Sequence, residues 1–469
     1  MHDLRKQVLL ESGKTTSRKA KSRHSSLPNS RAGSKTNSRA NSRANSRAPS
    51  RQGSDEEGEL SDGTTWSFNS ASLDELLLAE EPDNNDAWSE TLEIIIEEIV
   101  DRKRSSIEGR EKSLQNYIHL LATNVASDEL GPHKSDLIAA FGKSIKSESS
   151  EKETILALKA LALTILSCSD PVSLDNILPL VRRTASHSES ELAKAAAIHA
   201  LATLTYHNAS SGEEDALDVM SYLLEIVSTD GASVSADDSA SVVLAAIEEY
   251  GFLATEVEDM EAESEEAIET LIDQLESADS NIQIAAGETV ALLYEKSYTP
   301  LEDGEEVDTY SDRYSNGNSD PEELSGHDAW NNGPKLVKRY DPYHNTHHLT
   351  TILEDLSTTP ARALSKQARR ELHTAFKYIL ETVRNPRHGP AYSTAISDEK
   401  TGPRRAYGSR MKVKLGTQSK KYTNAITIDK WWKLMRLKGL RRVCGSGLLT
   451  HLMENERAWR CLPDLLDGI

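Results

Sequence analysis

Between Trp88 and Lys296, apolar side chains return every three or four positions, the spacing that draws one stripe along an α-helix. Leu92, Ile95, Ile96 and Ile99 predict a helix over 91–104, and Leu114, Tyr117, Ile118 and Leu121 mark the next. Lys152–Ser167 is rich in Ala and Leu; Asp170-Pro171 breaks it, and Ser173 is placed to cap a helix running through Leu180. Further helices are predicted over 192–206, 216–227, 239–254, 267–275 and 282–294. Small residues crowd their buried faces (Ala157, Ala160, Ala196, Ala200, Ala245, Ala285), which lets helix axes approach closely. Helix pairs returning about every 40–45 residues predict an all-α fold, an armadillo- or HEAT-like α-solenoid over 86–297 without a β-sheet.

The rhythm stops over 298–334, a polar acidic stretch read as a linker. Beyond it lies a basic, mostly helical module, 335–469. Ala361–Thr382 carries Leu364, Leu372, Phe376, Ile379 and Leu380 on one stripe, with Arg369 and Arg370 off it. Met411–Leu415 alternates as a short strand does, and Thr423–Thr427 continues it. Ile428–Leu440 predicts a helix in which Trp431 and Trp432 alternate with Lys430, Lys433, Arg436 and Lys438; Arg441 and Arg442 extend the charge. At the other end, residues 1–85 repeat Asn-Ser-Arg-Ala and then turn acidic. That composition offers too little apolar area to order a chain, so a disordered tail is expected. Ser42, Ser46, Ser50 and Ser54 each follow an arginine by three residues and are candidate phosphorylation sites.

Charge sharpens this division. The formal charge is −21 overall, but residues 1–54 carry +11, residues 55–333 carry −46 and residues 334–469 carry +14. A nucleic-acid partner would therefore meet the ends, and the acidic middle would face away from phosphate. The candidate RNA-binding residues are Lys430, Lys433, Arg436, Lys438, Arg441, Arg442, Arg369, Arg370, Arg404 and Arg405, with Trp431 and Trp432 as candidate stacking rings. For either tryptophan alone, the ordinary reading is a core residue flanked by snorkelling lysines. On this reading Lys430, Lys433, Arg436 and Arg441 could become glutamine without loss of fold.

No candidate catalytic group stands out. The chain lacks a phosphate-cradling glycine loop, HExxH and GxSxG. His344, His347 and His348 have no zinc spacing, and the acids have no calcium-loop order, so neither metal nor cofactor is expected. Cys168, Cys444 and Cys461 are scattered, which fits a reducing compartment, and no apolar run is long enough for a membrane span. These features predict a monomeric, non-enzymatic interaction protein of cytoplasm or nucleus.

Three stretches resemble the interferon-related developmental regulator family, in a fungal-looking form. They are Gly53–Asp62 (GSDEEGELSD), Arg369–Phe376 (RRELHTAF), and a terminal segment in which Gly445, Gly447, His451, Leu452, Asn455 and Glu456 keep the family's places. Arg104–Tyr117 matches where that family's first helix pair begins, and the resemblance covers most of the chain. The Asn/Ser/Arg tail and the Trp431-Trp432 pair depart from the pattern. The resemblance implies a regulator that binds the ribosome and its RNA and silences or protects inactive ribosomes. It equally implies a transcriptional co-regulator whose partners are other co-regulatory proteins.

Overall fold

A computed structural model describes residues 87–102, 105–168, 173–208, 212–301, 336–358, 365–386, 388–390, 411–414 and 425–462. The expected tail with Ser42, Ser46, Ser50 and Ser54, most of the acidic linker, and Arg404 and Arg405 lie outside these residues. The described residues belong to one compact unit, Glu57–Ile469.

The body is all-α and built from helix pairs: α1 (Ala87–Val100) with α2 (Ile107–Thr123), then the single turn α3 (Ser127–Leu130), and α4 (Lys134–Ser147) with α5 (Glu151–Ser167). Next come α6 (Leu178–His187) with α7 (Glu191–His207), α8 (Glu213–Ser228) with α9 (Ala240–Ala254), and α10 (Glu261–Leu275) with α11 (Ser280–Lys296). The last pair is α12 (Thr346–Thr358) with α13 (Lys366–Arg384). The second members, α2, α5, α7, α9, α11 and α13, pack side by side in chain order as an inner layer. The first members back them from outside, a solenoid-like stack.

Two differences from the sequence reading have local causes. Helix α6 begins at Leu178 rather than near Ser173, with Pro179 in its first turn, where a missing N–H costs nothing. Helix α4, which the reading passes over, buries Leu137, Ile138, Phe141 and Ile145 at helical spacing. Small ladders pair β1 (Tyr298–Pro300) with β2 (Leu336–Lys338) and β3 (Met411–Lys414) with β4 (Ala425–Ile428), both antiparallel.

Inner helices need closely packing residues on every side. In α7, Ala195, Ala196, Ala197, Ala200 and Ala202 are all buried, and the flanking Ile198 and Leu204 fill the remaining space. Fully burying each such larger side chain contributes about 1.5–3 kcal/mol.

The N-terminal edge of the inner layer is laced by a repeating contact. Ser106, Ser150 and Ser190 cap α2, α5 and α7 by accepting the N–H of the residue three on. Each such cap is worth about 1 kcal/mol. Ser150 also donates its hydroxyl to Glu111 of α2, at 2.6 Å, and Ser190 donates to Glu151 of α5, at 2.5 Å. Ser239, the residue before α9, donates to Glu191 of α7 at 2.6 Å. Each of these inner helices is thereby pinned at its start to the one before it.

A second lock sits between the first two pairs. The buried Glu153 carboxylate accepts Arg110 Nε and Nη2, both at 2.8 Å, and Arg102 Nη2 at 2.9 Å. Burial alone would raise this carboxyl, but the hydrogen bonds and charges of its partners outweigh it and hold it below the ordinary carboxylate range.

Candidate nucleic-acid interface and the C-terminal clasp

After β4 the chain forms α14 (Trp431–Cys444), α15 (Leu448–Glu454) and α16 (Glu456–Arg460). These lie across the inner layer: α14 packs on α11, α9 and α5, α15 on α2, and α16 on α5. Lys430, the N-cap residue of α14, makes no side-chain cap bond. Glu295 of α11 caps the helix instead, its carboxylate accepting Trp431 N at 2.9 Å and Trp432 N at 3.2 Å. A negative charge at a helix N-terminus also meets the positive end of the helix dipole. Burial raises the Glu295 carboxyl, with Lys430 and the two backbone N–H groups opposing the rise.

Three cations of α14, Arg436, Lys438 and Arg442, face carboxylates of the body. Arg442, buried, pairs with Glu249 at 2.7 Å and with Glu248 at 3.3 Å, and Glu249 also bonds His199 Nδ1 at 2.7 Å. Lys438 pairs with Glu288, and Lys433 with Asp429 at 2.8 Å. Arg436 donates to Thr255 Oγ1 and to Thr255 O, each at 2.9 Å, and to Glu256 at 2.7 Å. Its guanidinium sits 5.0 Å from the Trp432 ring centroid and 5.6 Å from that of Tyr206. Lys430 and Arg441 are half-buried. The expectation that Lys433 and Arg436 can be replaced without disturbing the fold is therefore corrected: both are anchored by the chain's own acids or carbonyls. The interleaved pattern is that of a helix apolar on one side and ion-paired on the other, so periodicity alone could not reveal it.

The aromatic pair divides. Trp431 is buried and its indole N–H donates to Thr382 Oγ1 of α13 at 2.7 Å. Trp432 is half-buried, its ring beside Lys433 and Arg436. Of the remaining candidates, Arg369 is half-buried on α13, and Arg370 is exposed one position later.

The turn into α15 and α16 covers helix ends. The last carbonyls of a helix have no partner within it. His451 Nε2 bonds Leu121 O of α2 at 2.7 Å, and Asn455 Nδ2 donates to Leu166 O of α5 at 3.1 Å. Arg457 Nη1 donates to Ile165 O at 2.9 Å and to His207 O of α7 at 3.3 Å. With Arg436 on Thr255 O after α9, these side chains reach the carboxyl ends of four successive inner helices. Asn455 Nδ2 also lies 3.1 Å from His451 Nδ1, so His451 carries its proton on Nε2 and accepts on Nδ1. Burial lowers the His451 pKa, the bond to the Leu121 carbonyl opposing it. Gly447 leaves room for the approach to α2: a Cβ there would lie 1.5 Å from Ala122 O. The motif residues Gly447, His451 and Asn455 are thus a clasp, and Asn455 Oδ1 also caps α16.

Among the described residues, no group of three or more His, Cys, Asp and Glu is placed to hold a metal ion, and no helix is long and apolar enough to cross a membrane. His344 is spent on Glu265 of α10.

The model of the interferon-related developmental regulator family matches residues 60–384, from before α1 to the end of α13. The chain belongs to this family. An uncharacterized protein of Schizosaccharomyces pombe is 25% identical over 403 residues, covering 83% of this chain and 79% of the relative. The family match ends before α14, so the clasp lies beyond the residues it covers. The developmental-regulator fold here is the stack of pairs, and the clasp closes its inner layer.

Proposed function

We propose that this family member is a non-enzymatic regulator that associates with the ribosome through RNA and silences or protects inactive ribosomes. In this reading an armadillo-like acidic body, 86–297, carries a basic C-terminal module, 335–469, as a monomer in cytoplasm or nucleus. The reading rests on the positive charge that the module carries outside α14. Helix α13 turns Arg370 and Lys377 to solvent, and the sequence from Gly402 to Ile428 holds seven cations, Arg404 and Arg405 among them, and no acid. Clustered cations of this kind bind phosphate backbones and give affinity that falls steeply with salt. The RNA-binding role moves accordingly from Lys433, Arg436, Lys438 and Arg442 to Arg370, Lys377, Arg404 and Arg405.

Ribosome co-sedimentation across a salt series tests it. Changing those last four residues to glutamine should release the chain at physiological salt and flatten the slope of log affinity against log salt by about 0.7–0.9 per lost contact. A second reading, a nuclear co-regulator that scaffolds proteins, is favoured by the internal neutralisation of α14. It takes the lead if the unaltered chain fails to co-sediment even at low salt.

A further inference from the structure

We propose that Ser106 is a phosphorylation site for a basophilic kinase, and that the added phosphate becomes the N-cap of α2. This inference is independent of the ribosome reading.

Ser106 begins the row of inner-helix cap serines, and its position in that row sets it apart. Ser150, Ser190 and Ser239 each give their hydroxyl proton to a glutamate on the preceding inner helix. Helix α2 has no inner helix before it among the described residues. Ser106 is exposed, whereas Ser150 and Ser190 are half-buried and Ser239 is buried. Its Oγ accepts Gly109 N at 3.0 Å.

The sequence around it reads Arg102-Lys103-Arg104-Ser105-Ser106-Ile107. Cations two and three residues before a serine, with an apolar residue after it, form a charge pattern that basophilic kinases select. The following residue, Ile107, is 43% exposed, one of few large apolar side chains turned to solvent among the described residues. Ser105 is the poorer acceptor. It is half-buried, its Oγ donates to Arg102 O, and the cation three residues before it, Arg102, is committed to Glu153 and to Ala140 O. Lys103 and Arg104, the pair that serves Ser106, interrupt a stretch of sequence that is otherwise strongly acidic.

In the reaction, Ser106 Oγ attacks the γ-phosphorus of ATP. The new O–P bond forms as the bond from that phosphorus to the bridging oxygen breaks. ADP leaves, and the hydroxyl proton passes to the kinase base. The product carries about −1.5 to −2 charges at the positive end of α2, beside the Gly109 N–H and Arg110. Glu108 and Glu111 on the same helix oppose it.

The test uses the full-length chain with every serine and threonine of residues 1–54 changed to alanine, so that the tail's own serines three residues after an arginine, Ser26 and Ser34 as well as Ser42, Ser46, Ser50 and Ser54, are silent. It is incubated with ATP, magnesium and the catalytic subunit of a cyclic-AMP-dependent kinase, and phosphopeptides are mapped. Ser106 should be the main product. Ser106→Ala should abolish most incorporation, and Arg104→Gln or Ile107→Asp should slow it about tenfold. Arg104→Gln leaves the cap serine intact, so loss of label there does not reflect a damaged helix. Phosphorylated chain should also melt about 2 °C higher than unmodified chain. Label confined to Ser105, or unchanged by Ser106→Ala, overturns the site. A lower midpoint after modification overturns the capping role.

Discussion

Helices α13 and α14 look alike as sequences and do opposite things with their charge. Each combines an apolar stripe with several cations. On α13, Leu372, Phe376, Ile379 and Val383 are buried, while Arg370 and Lys377 are exposed and Arg384 pairs with Glu354 of α12 at the surface. On α14, Lys433 and Arg442 are buried as well, and the charged side is the one that meets the body's acids. The difference lies outside both helices. Helix α13 is the last inner helix among the described residues, whereas α14 lies over α9 and α11, where Glu248, Glu249 and Glu288 wait. A cation's address is set by what the fold brings opposite it, and its own helix carries no record of that.

The largest break of this comparison is Arg442→Gln. It leaves Glu248 and Glu249 facing a neutral amide in a buried site, a loss expected at about 3–5 kcal/mol in urea denaturation. Adding Glu248→Gln and Glu249→Gln should recover much of that loss, because the harm comes from stranded charge and not from missing contact.

Acid should separate the two regions next. Burial, aided by Arg457, pushes His207 down to about 3, and burial lowers His451 as well. The unfolded chain binds these protons at an ordinary pKa near 6.5, so the unfolded state holds more protons below that value. Stability contributed by the neutral histidines is complete above about 6.5 and is lost as pH falls from there toward the folded values. Between neutrality and pH 5, His207 alone should account for about 2 kcal/mol. Thermal midpoints across that range should flatten in His207→Gln.

Glu295→Ala tests the long-range cap and should cost about 1–2 kcal/mol by denaturation. The smallest effect is expected on the other helix: Arg370→Gln with Lys377→Gln should leave stability within about 0.5 kcal/mol. A large loss there would erase the contrast between α13 and α14.

The stack was legible in the sequence to the extent that its causes are local. Apolar spacing marks most inner and outer helices, and serine followed by glutamate marks the starts of α5 and α7. Phe141 and Ile145 carried enough signal to find α4. The site was legible only as a composition, acids in the middle and cations at the end. Lys438 and Glu288 are 150 residues apart, and Arg442 and Glu248 are 194 apart, so nothing in a local window joins them. The clasp residues showed themselves as a resemblance, and what they do emerged only when the helix ends they cover were in view.

The bond from His451 to Leu121 spans 330 residues of chain. At about 5–20 residues per second, roughly 16–66 s of synthesis separate the two partners. Through that interval the carboxyl ends of α2, α5 and α7 have emerged while the side chains that will cover them are still unmade. A nascent chain therefore carries an unfinished edge that closes only once its last helices have been made. A stop just before the clasp would leave every earlier helix present and the seam open.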